Sequence, residues 1–320
     1  MLKNFKIKNL LSLLGPIILI YILTRINYGF LFEQIKLIKL PFLIAAAIVA
    51  ILGIVSRSLK WRLILNNLNI KISKLDGLNL FWLGLYAGII TPGRLGELIK
   101  VYFLKLRNHA PLPSFLSIFV DRMIDIMFLL GLGLLVSIFY LKGIVIQVLA
   151  LIIILMLAIT LFLLVLDQRT GLHRFFNVFI KRFFSFDLAK YSNFTFLKLW
   201  KGIKRVKIGD VLIYLAYLLF SWFLYFFSSY LIALALALNL SFFNLSAILV
   251  VVAIVSILPI TIAGIGTREA VIIYFFSLLG FSSERALIFS FFIFINDLVT
   301  IAVGIIPYYR ESILLGKFKN

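Results

Sequence analysis

Eight ionisable residues lie inside stretches that are otherwise apolar: Arg94, Glu97, Asp121, Arg122, Asp125, Arg268, Glu269 and Asp297. At the middle of a bilayer each would cost roughly 2.5–3.5 kcal/mol on an insertion scale. Some sit nearer an interface, so eight times that figure is an upper bound. Even a fraction of it is too much for a lipid-facing position, so these groups are expected to face inward and pair. Their types say what chemistry they could do. Arginine offers a planar donor fork that fits phosphate or carboxylate. Asp121 and Asp125 stand at i and i+4, on one helix face, and repel if both are ionised. Three arginines against five carboxylates leave two negative charges in excess, which predicts a protonated carboxylate and suits a proton-coupled step.

The elements that position these residues are broken helices. In "TPGRLGELIK" (91–100) two glycines and a proline interrupt the apolar stretch 78–106 at Thr91-Pro92-Gly93. A second stretch, 243–280, is interrupted at Pro259 and again at Gly264-Ile265-Gly266. Backbone polar groups in lipid must be satisfied internally, so a break at membrane depth implies protein or a water-filled cavity around it. Thr91 is a good N-cap and Pro92 suits the first helical position, so a half-helix is predicted to start there and run through Glu97. Thr267 can cap a second start ahead of Arg268 and Glu269. Free N–H groups and a positive dipole end make such starts ready anion sites. Two facing each other would hold an anionic headgroup. The small-residue pattern "GLYAG" (84–88) is expected to let helices pack closely.

The two broken stretches are alike. "GIITPGRLGELIKVYFL" (88–104) precedes a span carrying "FVDRMIDIMFLLGLGLL" (119–135), and "PITIAGIGTREAVIIYFF" (259–276) precedes "FINDLVTIAVGIIP" (294–307). Each has glycines, then Arg and Glu at a helix start, then a span with an aspartate. The segment "RSLKWR" (57–62) has no counterpart in the second half.

Composition sets the class. Of 320 residues, 63% are hydrophobic and 14% charged, which a soluble domain of this size could not tolerate. Clear spans are predicted at 10–24, about 40–56, 113–140, 143–166, 210–238 and 285–307. Lys3, Lys6 and Lys8 precede the first, but Thr24-Arg25-Ile26 follows it in place of a small-x-small site, so it reads as an uncleaved span. The net charge of +20 follows the positive-inside rule rather than nucleic-acid binding. The loop 167–208 holds ten Lys/Arg against Asp167 and Asp187 and is expected to be cytoplasmic. If both broken stretches are hairpins that enter and leave on one side, then the N-terminus, 57–77, 105–112, this loop and the C-terminus all fall inside. The first hairpin then opens from the cytoplasm and the second from outside, an inverted repeat of the kind secondary transporters use. Within the loop, "HRFFNVFIKRFFSF" (173–186) mixes basic residues with six phenylalanines and fits either the membrane interface or a packed helix. There are no cysteines, and His109 and His173 lie in basic loops, so no metal or thiolate site and no cofactor is predicted.

The expected architecture is all-α: a polytopic membrane helix bundle with two broken, re-entrant hairpins. It forms a single integral membrane domain over 1–320, with repeats at about 40–140 and 210–308. "TPGRLGELIKVYFLK", "FVDRMIDI" and "LPITIAGIGTREAVIIYFF" resemble the flippase-like membrane domain of the lysylphosphatidylglycerol synthases, the multiple peptide resistance proteins, and their stand-alone archaeal and bacterial relatives. The resemblance runs from about residue 5 to 310. It matches Gly93, Arg94, Gly96 and Glu97, then Asp121 and Arg122, then Pro259, Gly264, Gly266, Arg268 and Glu269. It implies movement of a lipid between leaflets. The synthases carry a soluble aminoacyl-transfer domain that these 320 residues lack, so lipid aminoacylation is not implied.

The leading expectation is thus a lipid translocator of the cell membrane, acting on an anionic phospholipid or polyprenyl-linked lipid. No GxxxxGK[ST] motif is present to bind ATP. Substrate binding is assigned to Thr91, Gly93, Arg94, Gly96, Glu97, Gly264, Gly266, Thr267, Arg268 and Glu269. Gating or proton coupling is assigned to Asp121, Arg122, Asp125 and Asp297. No nucleic acid is expected as a partner, and homo-oligomerisation is left open. Two alternatives use the same residues. One is a transporter of small anions or amino acids. The other is an intramembrane enzyme on a lipid phosphate, with Mg²⁺ between Asp121 and Asp125. A third use of the charges is a salt-bridge network that only fixes the fold.

Overall fold

The computed structural model describes residues 38–89, 91–140, 208–257 and 264–307, with a few isolated positions before them. The predicted spans 10–24 and 143–166, the loop up to residue 207, Pro259 and the C-terminal tail lie outside the described residues. Every regular element among the described residues is helical. In chain order these are α1 (Leu40–Asn67), α2 (Lys74–Ile89), a 3-10 helix (Pro92–Leu98), α3 (Ile99–Leu106), α4 (Pro111–Tyr140), α5 (Ile208–Ala235), α6 (Phe242–Ile257), α7 (Thr267–Leu278) and α8 (Ser283–Ala302). Leu40–Asn67, Ile208–Ala235 and Ser283–Pro307 are long and apolar enough to cross a bilayer. At ~1.5 Å per residue the 30 residues of α4 are also long enough.

One span is longer than the sequence suggested. The helix predicted to end near residue 56 continues to Asn67. The sequence places Arg57, Lys60 and Arg62 in an aqueous segment, yet Lys60 is fully buried. Four helices end alike, with the residue after the last turn in the left-handed region: Asn69, Asn108, Ala237 and Gly280. In each, the next residue's N–H returns to a carbonyl five residues back, as Ile70 does to Leu65 and Leu238 to Ala233. Asparagine and glycine suit that backbone, whereas Ala237 does not.

The chain divides into two compact units. The first takes in Met1–Leu59, Lys74–Ile99 and Ala216–Asn320. In it, α1 and α5 run antiparallel. Gly53 packs under Leu224, the Ser228 hydroxyl donates to Ala46 O (2.8 Å), and the Ser56 hydroxyl donates to Tyr217 O (3.2 Å). Ser and Gly let the two backbones approach, as small residues do in membranes. Helix α2 and the 3-10 helix pack against each other, as do α6 with α7 and α7 with α8. Helix α2 also meets α8: Trp82 Nε1 donates to Thr300 O at 3.0 Å. The second unit takes in Lys60–Ser73 and Lys100–Leu215. Its described part is the end of α1, most of α3, α4 and the start of α5.

Candidate functional site

The first break is a hairpin held by one hydroxyl. Thr91 has extended backbone (φ −112°, ψ 138°) and Pro92 opens the following helix, as the sequence predicts. That helix is 3-10 rather than α, and regular α geometry begins only at Ile99. The Thr91 side chain does not cap the first turn. Its hydroxyl lies 3.3 Å from Ala87 O and 3.2 Å from Gly88 O, and it accepts the Gly96 N–H at 2.7 Å. It thereby ties the end of α2 to the 3-10 helix. Gly96 is needed where they touch, since a Cβ there would lie 2.0 Å from Ala87 O. Gly93 and Arg94 lie within the 3-10 helix, and Glu97 is buried there.

The second start is α7. Its N-cap is Gly266 rather than Thr267, which is the first helical residue and donates to Gly264 O at 3.1 Å. Gly264 and Gly266 both have positive φ (74° and 88°), a conformation that suits glycine. Glu269 reaches back to accept the Gly266 N–H at 2.5 Å. Its other oxygen accepts from Arg268 Nη2 (2.7 Å), Arg268 Nε (3.1 Å) and the Ser290 hydroxyl (2.7 Å). Arg268 Nε also lies 3.0 Å from Ser290 Oγ, and the guanidinium rests over the Phe294 ring at 5.2 Å. Arg268 and Glu269 are both buried. Together they neutralise one another and satisfy a helix-start N–H, as buried charges must. Ser290 and Phe294, on α8, were not foreseen.

The second unit holds the other cluster. Asp121 and Asp125 share one face of α4, and the Lys60 ammonium lies between them. Nζ is 3.1 Å from Asp121 Oδ1 and 2.5 Å from Asp125 Oδ1. Tyr214 donates to Asp121 Oδ1 at 3.3 Å, and its ring lies 5.5 Å from the ammonium. Beside this, Trp61 Nε1 donates to Ser117 Oγ (3.1 Å), and the buried Lys100 ammonium sits 4.8 Å over the Trp61 ring. Sequence reasoning missed Lys60, Lys100 and Tyr214. The available signal was "RSLKWR" itself, three cations directly abutting an apolar run.

This cluster revises two sequence inferences. The charge count changes: with Lys60 and Lys100 buried, five cations stand against the five carboxylates, so the predicted excess of two negative charges disappears. The gap between Asp121 and Asp125, where the enzymatic alternative places Mg²⁺, is filled by the ammonium of Lys60. Arg122 is on the same helix, half-buried. Asp297 lies late in α8, whereas Asp121 lies in the first half of α4, so the two aspartates do not stand at equivalent positions along their helices.

The pairs thus fall into two groups: Thr91–Gly96 and Arg268–Glu269 in the first unit, Lys60–Asp121–Asp125 in the second. No curated protein and no solved structure matches the chain. The family model described as the lysylphosphatidylglycerol synthase TM region matches residues 9–304, nearly the whole of it, and this membrane protein belongs to that family.

Proposed function

We propose that the protein translocates an anionic lipid or lipid-linked intermediate between the leaflets of the cell membrane, with the headgroup phosphate bound at the two broken-helix starts. The two hairpins act as re-entrant elements of an inverted repeat. The N-terminus, the C-terminus and the loop 167–208 are cytoplasmic. The observation that carries this reading is Arg268 at the start of α7. A buried arginine stands at a glycine-lined helix N-terminus inside an apolar segment, and its hydrogen bonds to described residues run through Nε and Nη2. Its Nη1 edge is the donor a phosphate would use. Arg94, at the other start, supplies the second cation. Lipid tails stay in the bilayer throughout.

The test is movement of fluorescent phospholipid and polyprenyl-phosphate probes in proteoliposomes. Wild type, Arg94→Ala and the double variant Arg268→Gln/Glu269→Gln are compared. The double variant removes both charges of the buried pair, so no orphan charge is left to unfold the protein. Movement that depends on both starts supports the proposal. Undiminished movement in both variants, with folding shown by size exclusion, would refute the headgroup site.

A further inference from the structure

Lys60 and Asp121–Asp125 are not among the residues that the headgroup reading uses to bind phosphate, and their geometry suggests a part of their own. Two carboxylates one helical turn apart are tolerable together because one ammonium bridges them. Lys60 contributes this charge from α1 on a flexible four-carbon stem, as a point charge rather than a rigid fork. Its side chain is fully buried, while that of Asp125 is 14% exposed, so among these residues Asp125 is the most open to its surroundings. Several charges act on Asp121. Beside Lys60 these are Asp125, Arg122 and Lys100, and the Tyr214 hydroxyl faces it from α5. If the ammonium moves away, the two buried carboxylates face each other one helical turn apart without the charge that bridged them. In apolar surroundings two adjacent carboxylates then hold one proton between them.

We propose that Lys60 is a displaceable counter-ion: an anionic phosphate group that draws its ammonium away is taken up together with one proton, which the Asp121–Asp125 pair binds. In this exchange Lys60 keeps its three N–H bonds and shifts its hydrogen bonds from the aspartates to the anion's oxygens. One carboxylate gains an O–H bond with a proton from solvent. A singly charged headgroup and its proton then move without net charge. The coupling to a headgroup rests on the translocator reading, whereas the control of the carboxylates by Lys60 does not.

Two measurements separate these halves. The first is the infrared carboxyl C=O absorption of purified protein at neutral pH. Lys60→Met is expected to gain a protonated-carboxyl band that disappears in Lys60→Met/Asp125→Asn. Lys60→Arg, which keeps the charge, is expected to match wild type. A folded Lys60→Met protein without the band overturns the control by Lys60. The second is proton uptake by wild type in weak buffer as dihexanoyl phosphatidylglycerol is added, and it also decides the matter if Lys60→Met does not fold. About one proton per bound lipid is expected, with the uptake lost in Asp121→Asn. Binding without proton uptake overturns the coupling. Absence of binding overturns the headgroup reading and the coupling with it, and the infrared result still judges Lys60.

Discussion

Replacing Gly96 with alanine tests the hairpin at its tightest point. A Cβ at residue 96 would lie 2.0 Å from Ala87 O, 2.4 Å from Ala87 C and 2.9 Å from Gly88 N. All three are backbone atoms of the last turn of α2, so no side chain can swing aside. Reaching ordinary contact requires α2 and the 3-10 helix to separate by roughly 1.4 Å. Overpacking of this kind costs about 1–3 kcal/mol. The separation also stretches the 2.7 Å hydrogen bond from Gly96 N to Thr91 Oγ1, worth about 1 kcal/mol more. A total near 3 kcal/mol corresponds to a fall of about 4–5 °C in the apparent Tm of a chain this size. The control is Gly131→Ala in α4, where a Cβ meets nothing within 4 Å among the described residues. Alanine is favoured over glycine in a helix by about 1 kcal/mol, so that variant should match or exceed wild type. The assay is thermal unfolding in detergent followed by fluorescence-detected size exclusion. Equal Tm values for Gly96→Ala, Gly131→Ala and wild type would show that the hairpin is not closed at residue 96.

Two further substitutions probe the helix starts. Glu269→Ala strands the buried Arg268 guanidinium and the Gly266 N–H, and should destabilise by about 3–5 kcal/mol in the same unfolding assay. The double Arg268→Gln/Glu269→Gln variant should recover much of that loss, and a double variant no better than Glu269→Ala would contradict the pairing. Thr91→Val removes the acceptor of the Gly96 N–H at nearly constant volume and should cost about 1–3 kcal/mol, whereas Thr91→Ser keeps the hydroxyl and should stay within about 1 kcal/mol of wild type.

The positions of the described helices were readable because membrane spans are set by apolar length, and the break at Thr91 was readable because proline and glycine interrupt that length. The type of helix after the break was not. The 3-10 geometry is tied to the contact between Gly96 and Ala87, a tertiary feature with no periodic signature. The cap of α7 was placed one residue late for a related reason. Thr267 is the better capping residue by type, but the positive φ of Gly264 and Gly266 and the reach of Glu269 put the start at Gly266. Lys60 was hidden by the rule that located the loops. Counting lysine and arginine as markers of the aqueous side assigns "RSLKWR" to water, and only the packing of Lys60–Ser73 with α4 reveals that one of those cations is an internal partner.

That correction changes where proton coupling can come from. An excess of carboxylates over cations would make a bound proton a permanent feature of the resting protein. With Lys60 and Lys100 counted, the eight charged residues singled out at the start and these two lysines sum to zero, and no standing proton is required. On the proposal made above, a proton is bound when Lys60 leaves its carboxylates. The two clusters differ in how readily that can happen. Arg268 is held by the adjacent Glu269 through both Nε and Nη2, with Ser290 bridging the two and Phe294 beneath. Moving it would break several charge-assisted bonds at once. Lys60 is held by two oxygens on a single helix and by the face of Tyr214, at the end of a stem that can change rotamer. Arg268 is therefore suited to a fixed binding element and Lys60 to the moving one.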